Sequence, residues 1–234
     1  MGNIRIISHS PKAFTDRIEA GRLLAAELIS YAGRKAVVLG VPRGGMAVAR
    51  EIARRLDADL DIVLSRKLRS PGQPELAFGA ISEDGQVSLN RNVVQMLGIS
   101  DDYIEREKSF QMAEISRRNR LFREVRPKVP LAGLTVIITD DGVATGATFK
   151  VALAAARHES PARLVAAVPV GPEDTISEMA AIADEILCLR SPAGFGAVGQ
   201  FYESFDQLED EDVLAILREE SQRSPNQATA GQSA

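Results

Sequence analysis

The segment Val136 to Thr148, VIITDDGVATGAT, constrains the fold of this chain more than any other stretch. Four apolar or β-branched residues make a buried strand, and Asp140 and Asp141 emerge at its end. Small residues and hydroxyls then lead straight into a helical pattern from Phe149 to Arg157. Small side chains at Gly142, Ala144, Gly146 and Ala147 let a backbone curl around an anion with its amide hydrogens pointing inward. The helix that follows adds roughly +0.5 of charge at its amino end, and Thr145 and Thr148 can add hydroxyl donors. Two carboxylates repel a phosphate but accept hydrogen bonds from sugar hydroxyls, so a ribose 5-phosphate would satisfy both halves of the segment.

The rest of the chain repeats the same alternation. Phe14 to Tyr31 spaces apolar residues at helical intervals, and Gly33 is a plausible stop. Ala36 to Val41 reads as a strand closed by Pro42 and two glycines, and Met46 to Leu56 as a helix. Further strands are expected over Leu60–Ser65, Leu134–Thr139, Leu164–Val170 and Glu185–Leu189, with a helix over Thr175–Ala183. This pattern predicts an α/β fold, a mostly parallel central sheet flanked by helices, with ligands at the carboxyl ends of its strands.

The region from about 69 to 130 breaks the alternation. It holds a turn-rich start (Ser70, Pro71, Gly72, Pro74), a hairpin signal at Asp84-Gly85 and a polar helix from Asp101 to Arg123 with Ile104, Ile115 and Phe122 near one face. We read it as an inserted helical and hairpin hood. After Leu217 the chain becomes polar and aperiodic. The expected organisation is one domain over residues 1–220 and a disordered tail over 221–234.

Composition excludes several function classes. A formal net charge of -4 matches a phosphate backbone poorly, so no nucleic-acid partner is expected, and Arg117, Arg118 and Arg120 read as a solvated helix face. No apolar run is long enough to span a bilayer and the amino-terminal residues do not read as a basic leader followed by an apolar segment, so no membrane partner is expected and the cytoplasm is the simplest compartment. Cys188 is the single cysteine, which rules out an internal disulfide and predicts a buried inert thiol. Gly194, Gly196 and Gly199 spell a dinucleotide fingerprint, but Pro192 precedes them and no βαβ unit follows. His9 and His158 have no paired ligands and read as surface residues, and no resident metal-ligand set is expected.

Val136 to Thr148 resembles the phosphoribosyl-pyrophosphate signature of type I phosphoribosyltransferases: a hydrophobic strand, two acids, two variable positions and a Thr/Gly-rich phosphate loop. The resemblance implies that Asp140 and Asp141 meet the ribose 2- and 3-hydroxyls. It likewise implies that the backbone and hydroxyls of Val143, Ala144, Thr145, Gly146, Ala147 and Thr148 hold the 5-phosphate. Upstream, VLGVPRGG, Val38 to Gly45, resembles the family's pyrophosphate loop, which assigns Arg43 and Gly44 to the diphosphate. A guanidinium gripping two phosphate oxygens contributes on the order of 1.5–3 kcal/mol. The resemblance runs from about Phe14 to Asp212 and is strongest toward bacterial phosphoribosyltransferases of unassigned acceptor.

Members of this family carry a mobile lid between the two loops. Arg66, Lys67 and Arg69 occupy that place here, with Lys67 a candidate catalytic cation and Arg66 a candidate substrate contact. Phe195, Phe201 and Tyr202 fall where the family builds part of its acceptor pocket. The resemblance further implies Mg2+, phosphoribosyl pyrophosphate and a small-molecule nitrogen acceptor, a nucleobase or related heterocycle, with pyrophosphate released; a homodimer is compatible with it. Ala144 stands where hypoxanthine-guanine enzymes carry an Asp base, so Glu75 in the lid is the substitute candidate. A non-catalytic sensor of phosphoribosyl pyrophosphate is the alternative. The basic face or added DNA-binding domain usual in such regulators is missing from this sequence.

Overall fold

Buried β-branched runs alternating with amphipathic stretches assemble into a sheet with helices on both faces. The computed structural model describes residues 2–223. In chain order the elements are β1 (Asn3–Ser8), α1 (Arg17–Glu27), β2 (Ala36–Gly40), α2 (Gly44–Leu56) and β3 (Asp59–Ile62). Then come β4 (Ser65–Ser70), β5 (Gln73–Ser82), β6 (Val87–Leu89), α3 (Arg91–Met96) and α4 (Asp101–Arg123). The chain continues through β7 (Thr135–Thr139), α5 (Ala147–His158), β8 (Arg163–Val170), α6 (Glu173–Met179), β9 (Glu185–Arg190) and α7 (Asp210–Arg223). Six strands form one sheet in the order β1-β9-β8-β7-β2-β3, and every pairing in it is parallel.

Strand alternation divides the core. Val38, Ile137, Val165 and Leu187 turn to one face and pack with Leu24 of α1, Ile52 of α2 and Leu217 of α7. Their neighbours Val37, Val136, Leu164 and Ile186 turn to the other, against Phe149 and Leu153 of α5 and Ile176 and Met179 of α6. All of these side chains are fully or almost fully buried. The chain leaves β2 toward β3 on one side and leaves β7 toward β8 and β9 on the other, so the winding reverses between β2 and β7. Such a reversal opens a crevice at the carboxyl ends of the two strands.

The inserted region forms a second, antiparallel sheet, β4-β5-β6, with α3 and α4 beside it. The hairpin at Asp84-Gly85 is present, and Ile104, Ile115 and Phe122 are buried as the spacing predicts. Four expectations need correction. The parallel sheet has a sixth strand, β1, whose edge position leaves Ile4 and Ile7 exposed and so carries little alternation to read. Phe14 lies outside α1, in an isolated bridge to Tyr202, because Asp16 caps that helix by accepting from the Glu19 amide. Residues 221–223 complete α7, which buries Val213, Leu214, Ile216 and Leu217; residues 224–234 lie outside the described residues. Arg117 and Arg118 are not simply solvated, since both pair with Asp210 at the start of α7, each at 3.4 Å.

Candidate active site

Because β2 and β7 are hydrogen-bonded neighbours with Gly40 opposite Thr139, the loops that follow them are forced side by side. The Val41 amide donates to the Thr139 carbonyl at 3.0 Å, and Gly45 packs against Asp140. At Gly44 the contact is closer still: a β-carbon there would lie 1.8 Å from Asp141 Oδ2 and 3.1 Å from Arg17 Nε. Only a residue without a side chain lets the first residue of α2 reach the acids after β7. The Pro42–Arg43 peptide is cis.

Asp140 and Asp141 are half-buried. Arg17 Nε donates to Asp141 Oδ2 at 2.8 Å, both side chains being less than a sixth exposed. The Tyr202 hydroxyl donates to the backbone carbonyl of Asp141. Burial and the charge of Asp141 hold the Asp140 carboxyl well above the usual carboxylate range. Burial also raises Asp141, opposed by the Arg17 guanidinium. The Tyr202 hydroxyl is raised too, by burial first and then by the charge of Asp141, so it stays a proton donor.

The loop from Gly142 to Gly146 is tied at two points: the Val143 amide donates to Val170 O at 2.9 Å, and Thr175 Oγ1 donates to Ala144 O at 2.8 Å. Ala144 and Thr145 are exposed, while Ala147 and Thr148 begin α5. Gly146 takes the cap position with φ +66, a left-handed conformation that favours glycine, and it has no side chain to cap the helix. The first-turn amides of this 12-residue helix therefore have no side-chain acceptor at the cap, which is the arrangement that receives an anion. Among the described residues no group of three or more His, Cys, Asp or Glu side chains gathers to hold a metal.

The expected lid cations separate. Lys67 shares with Thr145, Ala147 and Lys150 a cleft of about 320 Å³ between the second sheet and the start of α5. Arg66, one residue earlier on β4, turns to the opposite face and donates to Gln111 of α4 at 2.5 Å, which removes it from the Gly142–Gly146 loop. The side chain of Glu75 lies outside the described residues. Phe195 and Phe201 stack on each other with centroids 5.1 Å apart, and Tyr202 lies between Phe14 and Phe205 at 5.4 and 5.0 Å. Phe201 is buried, so it supports this cluster from beneath.

Arg43 does not face an open crevice. It is ion-paired to Glu209, just ahead of α7. Arg17, Thr175 and Glu209 hold Asp141, Ala144 and Arg43 of this candidate site, and nothing local in the sequence marks them. Each reaches the site from an element far away in sequence.

The description "phosphoribosyl transferase domain" fits residues 12–199 of this chain. Two Mycobacterium tuberculosis proteins, from strains CDC 1551 / Oshkosh and ATCC 25618 / H37Rv, are each 47% identical to it over 206 residues; their names are "Putative phosphoribosyl transferase MT0597" and "Putative phosphoribosyl transferase Rv0571c". The match covers 88% of this chain but 46% of each relative, so the chain spans about half their length. The crystal structure of TT1426 from Thermus thermophilus is similar with a TM-score of 0.74 and 44% identity, over 88% of this chain and 98% of that one.

Proposed function

The chain belongs to the phosphoribosyl transferase domain family, and from that premise we propose that it binds phosphoribosyl pyrophosphate and transfers its phosphoribosyl group to a nitrogen acceptor, releasing pyrophosphate. The observation that carries this reading is the meeting of three parts at the β2/β7 crevice: the Asp140–Asp141 pair, the Gly44 loop packed on it, and the α5 amino end with no capping side chain. A sugar phosphate that also carries a diphosphate has a group for each part.

In this assignment the α5 amino end and the Val143–Thr148 loop take the 5-phosphate, with Thr145 and Thr148 as hydroxyl donors. The two carboxylates accept from the ribose hydroxyls. The Gly44 amide and the Arg43 guanidinium take the diphosphate. Lys67, across the cleft from Thr145, adds positive charge over the donor. As the bond from the anomeric carbon to the diphosphate lengthens, the nearby carboxylates stabilise the positive charge on the ribose, and a nitrogen nucleophile completes the displacement. The protein's work is chiefly to hold the donor in place and keep out water, which competes as a nucleophile.

A magnesium ion fits this donor set. Two adjacent carboxylates without a third ligand suit an ion held mainly by substrate oxygens. When bound it would neutralise charge on the departing diphosphate. The aromatic residues after β9 favour a planar acceptor such as a nucleobase or a related heterocycle. Ala144 leaves the phosphate loop without a carboxylate base.

The test is pyrophosphate release from phosphoribosyl pyrophosphate and Mg2+ across a panel of purines, pyrimidines and small aromatic acids, with calorimetric binding measured in parallel. Turnover with one acceptor supports the transferase. Binding without turnover across the panel points to a sensor of the same ligand. Absence of binding by the full chain overturns the proposal.

A further inference from the structure

Two arginines flank the crevice, and both are held by one stretch of chain. Arg17 Nη1 donates to the Asp206 backbone carbonyl at 2.8 Å, and its guanidinium carbon sits 3.9 Å above the Phe205 ring. Arg43 is ion-paired to Glu209, its sole side-chain partner among the described residues. Glu209 is itself braced: Gln207 Nε2 donates to its other carboxylate oxygen at 2.6 Å, and its amide donates to Asp212 Oδ2 at 2.8 Å. The segment also carries a high negative charge, with Asp206, Glu209, Asp210, Glu211 and Asp212 within seven positions.

We infer that Glu209 sets the anion affinity of this site by occupying the Arg43 guanidinium that a diphosphate must take. The inference rests on the proposed function, in which Arg43 is a diphosphate ligand. A carboxylate and a phosphate present the same planar donor with like-charged oxygens, so they compete for it rather than share it. The pair is open enough to exchange: the Glu209 side chain is 55% exposed and that of Arg43 26%, so incoming anion and leaving carboxylate both have a path through solvent. A weakly charged anion gains too little to displace the carboxylate, whereas a diphosphate brings more charge to the same guanidinium. Glu209 thereby lowers the affinity of every anion that needs this guanidinium, so only strongly held anions fill the position. Its release also frees the segment that holds Arg17.

The experiment is calorimetric binding of inorganic pyrophosphate with Mg2+ to the full chain and to the variants Glu209→Gln, Arg43→Gln and the double variant. Glu209→Gln is expected to tighten pyrophosphate binding about three- to tenfold. It is expected to have no effect in the Arg43→Gln background, because the competition then has no object. Added salt should shrink the gain, since the pair is partly exposed. A Glu209→Gln protein that binds no better, or binds more weakly, overturns the inference; weaker binding would mean that Glu209 positions Arg43 instead of competing for it. No binding in either the parent or Glu209→Gln also counts against it, because removing a competitor should reveal affinity. If Arg43→Gln binds as tightly as the parent, the diphosphate assignment itself fails, which separates the two readings. Hydrogen exchange gives an independent check: amides of residues 205–212 should exchange faster when pyrophosphate is added to the parent chain, and unchanged exchange would contradict displacement of Glu209.

Discussion

Arg17 Nε and Asp141 Oδ2 meet at 2.8 Å across 124 residues of sequence, joining the first turn of α1 to the acids at the end of β7. Both side chains are mostly buried, so the guanidinium offsets the cost of keeping a carboxylate out of water. Replacing Arg17 by Met should leave Asp141 unpaired and lower unfolding free energy by on the order of 3 kcal/mol. Adding Asp141→Asn should recover a large part of that loss, as read by urea denaturation of the two variants. Equal stability of parent and Arg17→Met would show that the pair contributes nothing.

The acid pair should dominate ligand binding. Asp140→Asn combined with Asp141→Asn removes two charge-assisted acceptors, each of about 1.5–3 kcal/mol, so affinity for phosphoribosyl pyrophosphate should fall at least 100-fold. His158→Ala should leave it unchanged, because His158 is exposed and lies against Asp84, at the opposite end of α5 from the phosphate loop. Calorimetry on both variants checks the pair of expectations together, and retained affinity in the double variant would remove the ribose assignment.

Asp140 also makes a prediction about pH. Burial and the charge of Asp141 raise its carboxyl well above the usual value, so the native state favours the protonated form more than the unfolded chain does. The stability this group contributes is fully present below the unfolded carboxyl value of about 4 and is lost as pH rises through the raised native value. The ligand-free Asp140→Asn protein should therefore melt at a higher temperature than the parent at pH 7, and the advantage should fade as pH falls toward about 4. A lower melting temperature at pH 7 would contradict this. A stabilising change that removes binding marks a residue retained for function.

Gly44→Ala should be far more damaging than an alanine in an ordinary loop. The added carbon would sit 1.8 Å from Asp141 Oδ2, so the loop or the acid must move. The expected cost is about 1–3 kcal/mol in stability, together with loss of ligand affinity. Thermal melts and ligand titration of this variant beside Gly33→Ala, whose surroundings are open, separate crowding from backbone preference.

Cys188 is fully buried in β9, and burial pushes its thiol up to about 12. It should resist a thiol-specific reagent in the native protein at neutral pH and react within minutes once the chain is unfolded. Rapid native-state labelling would show that β9 opens.

Much of the fold was legible locally. The run VIITDDGVATGAT contains its own strand, acids, turn and helix start, and the alternation of apolar runs with helical periods marks five of the six parallel strands. Those features depend on residues within one or two turns of each other, where spacing and side-chain type decide the backbone. Edge strand β1 escaped because half-exposed residues need no strict pattern, and α7 because its acidic first turn conceals a short apolar face.

What the tertiary structure alone decided is which distant side chains share the crevice. Parallel pairing of β2 with β7 sets Gly44 against Asp141, and the return of the chain after β9 places Tyr202 and Glu209 beside residues more than 60 and 160 positions away. Side-chain alternation along β4 sends Lys67 toward Thr145 and Ala147 and Arg66 away from them. Such contacts come from the packing of two cores on the opposite faces of one sheet. No local propensity encodes them, because their energy exists only when the separate segments are already packed together.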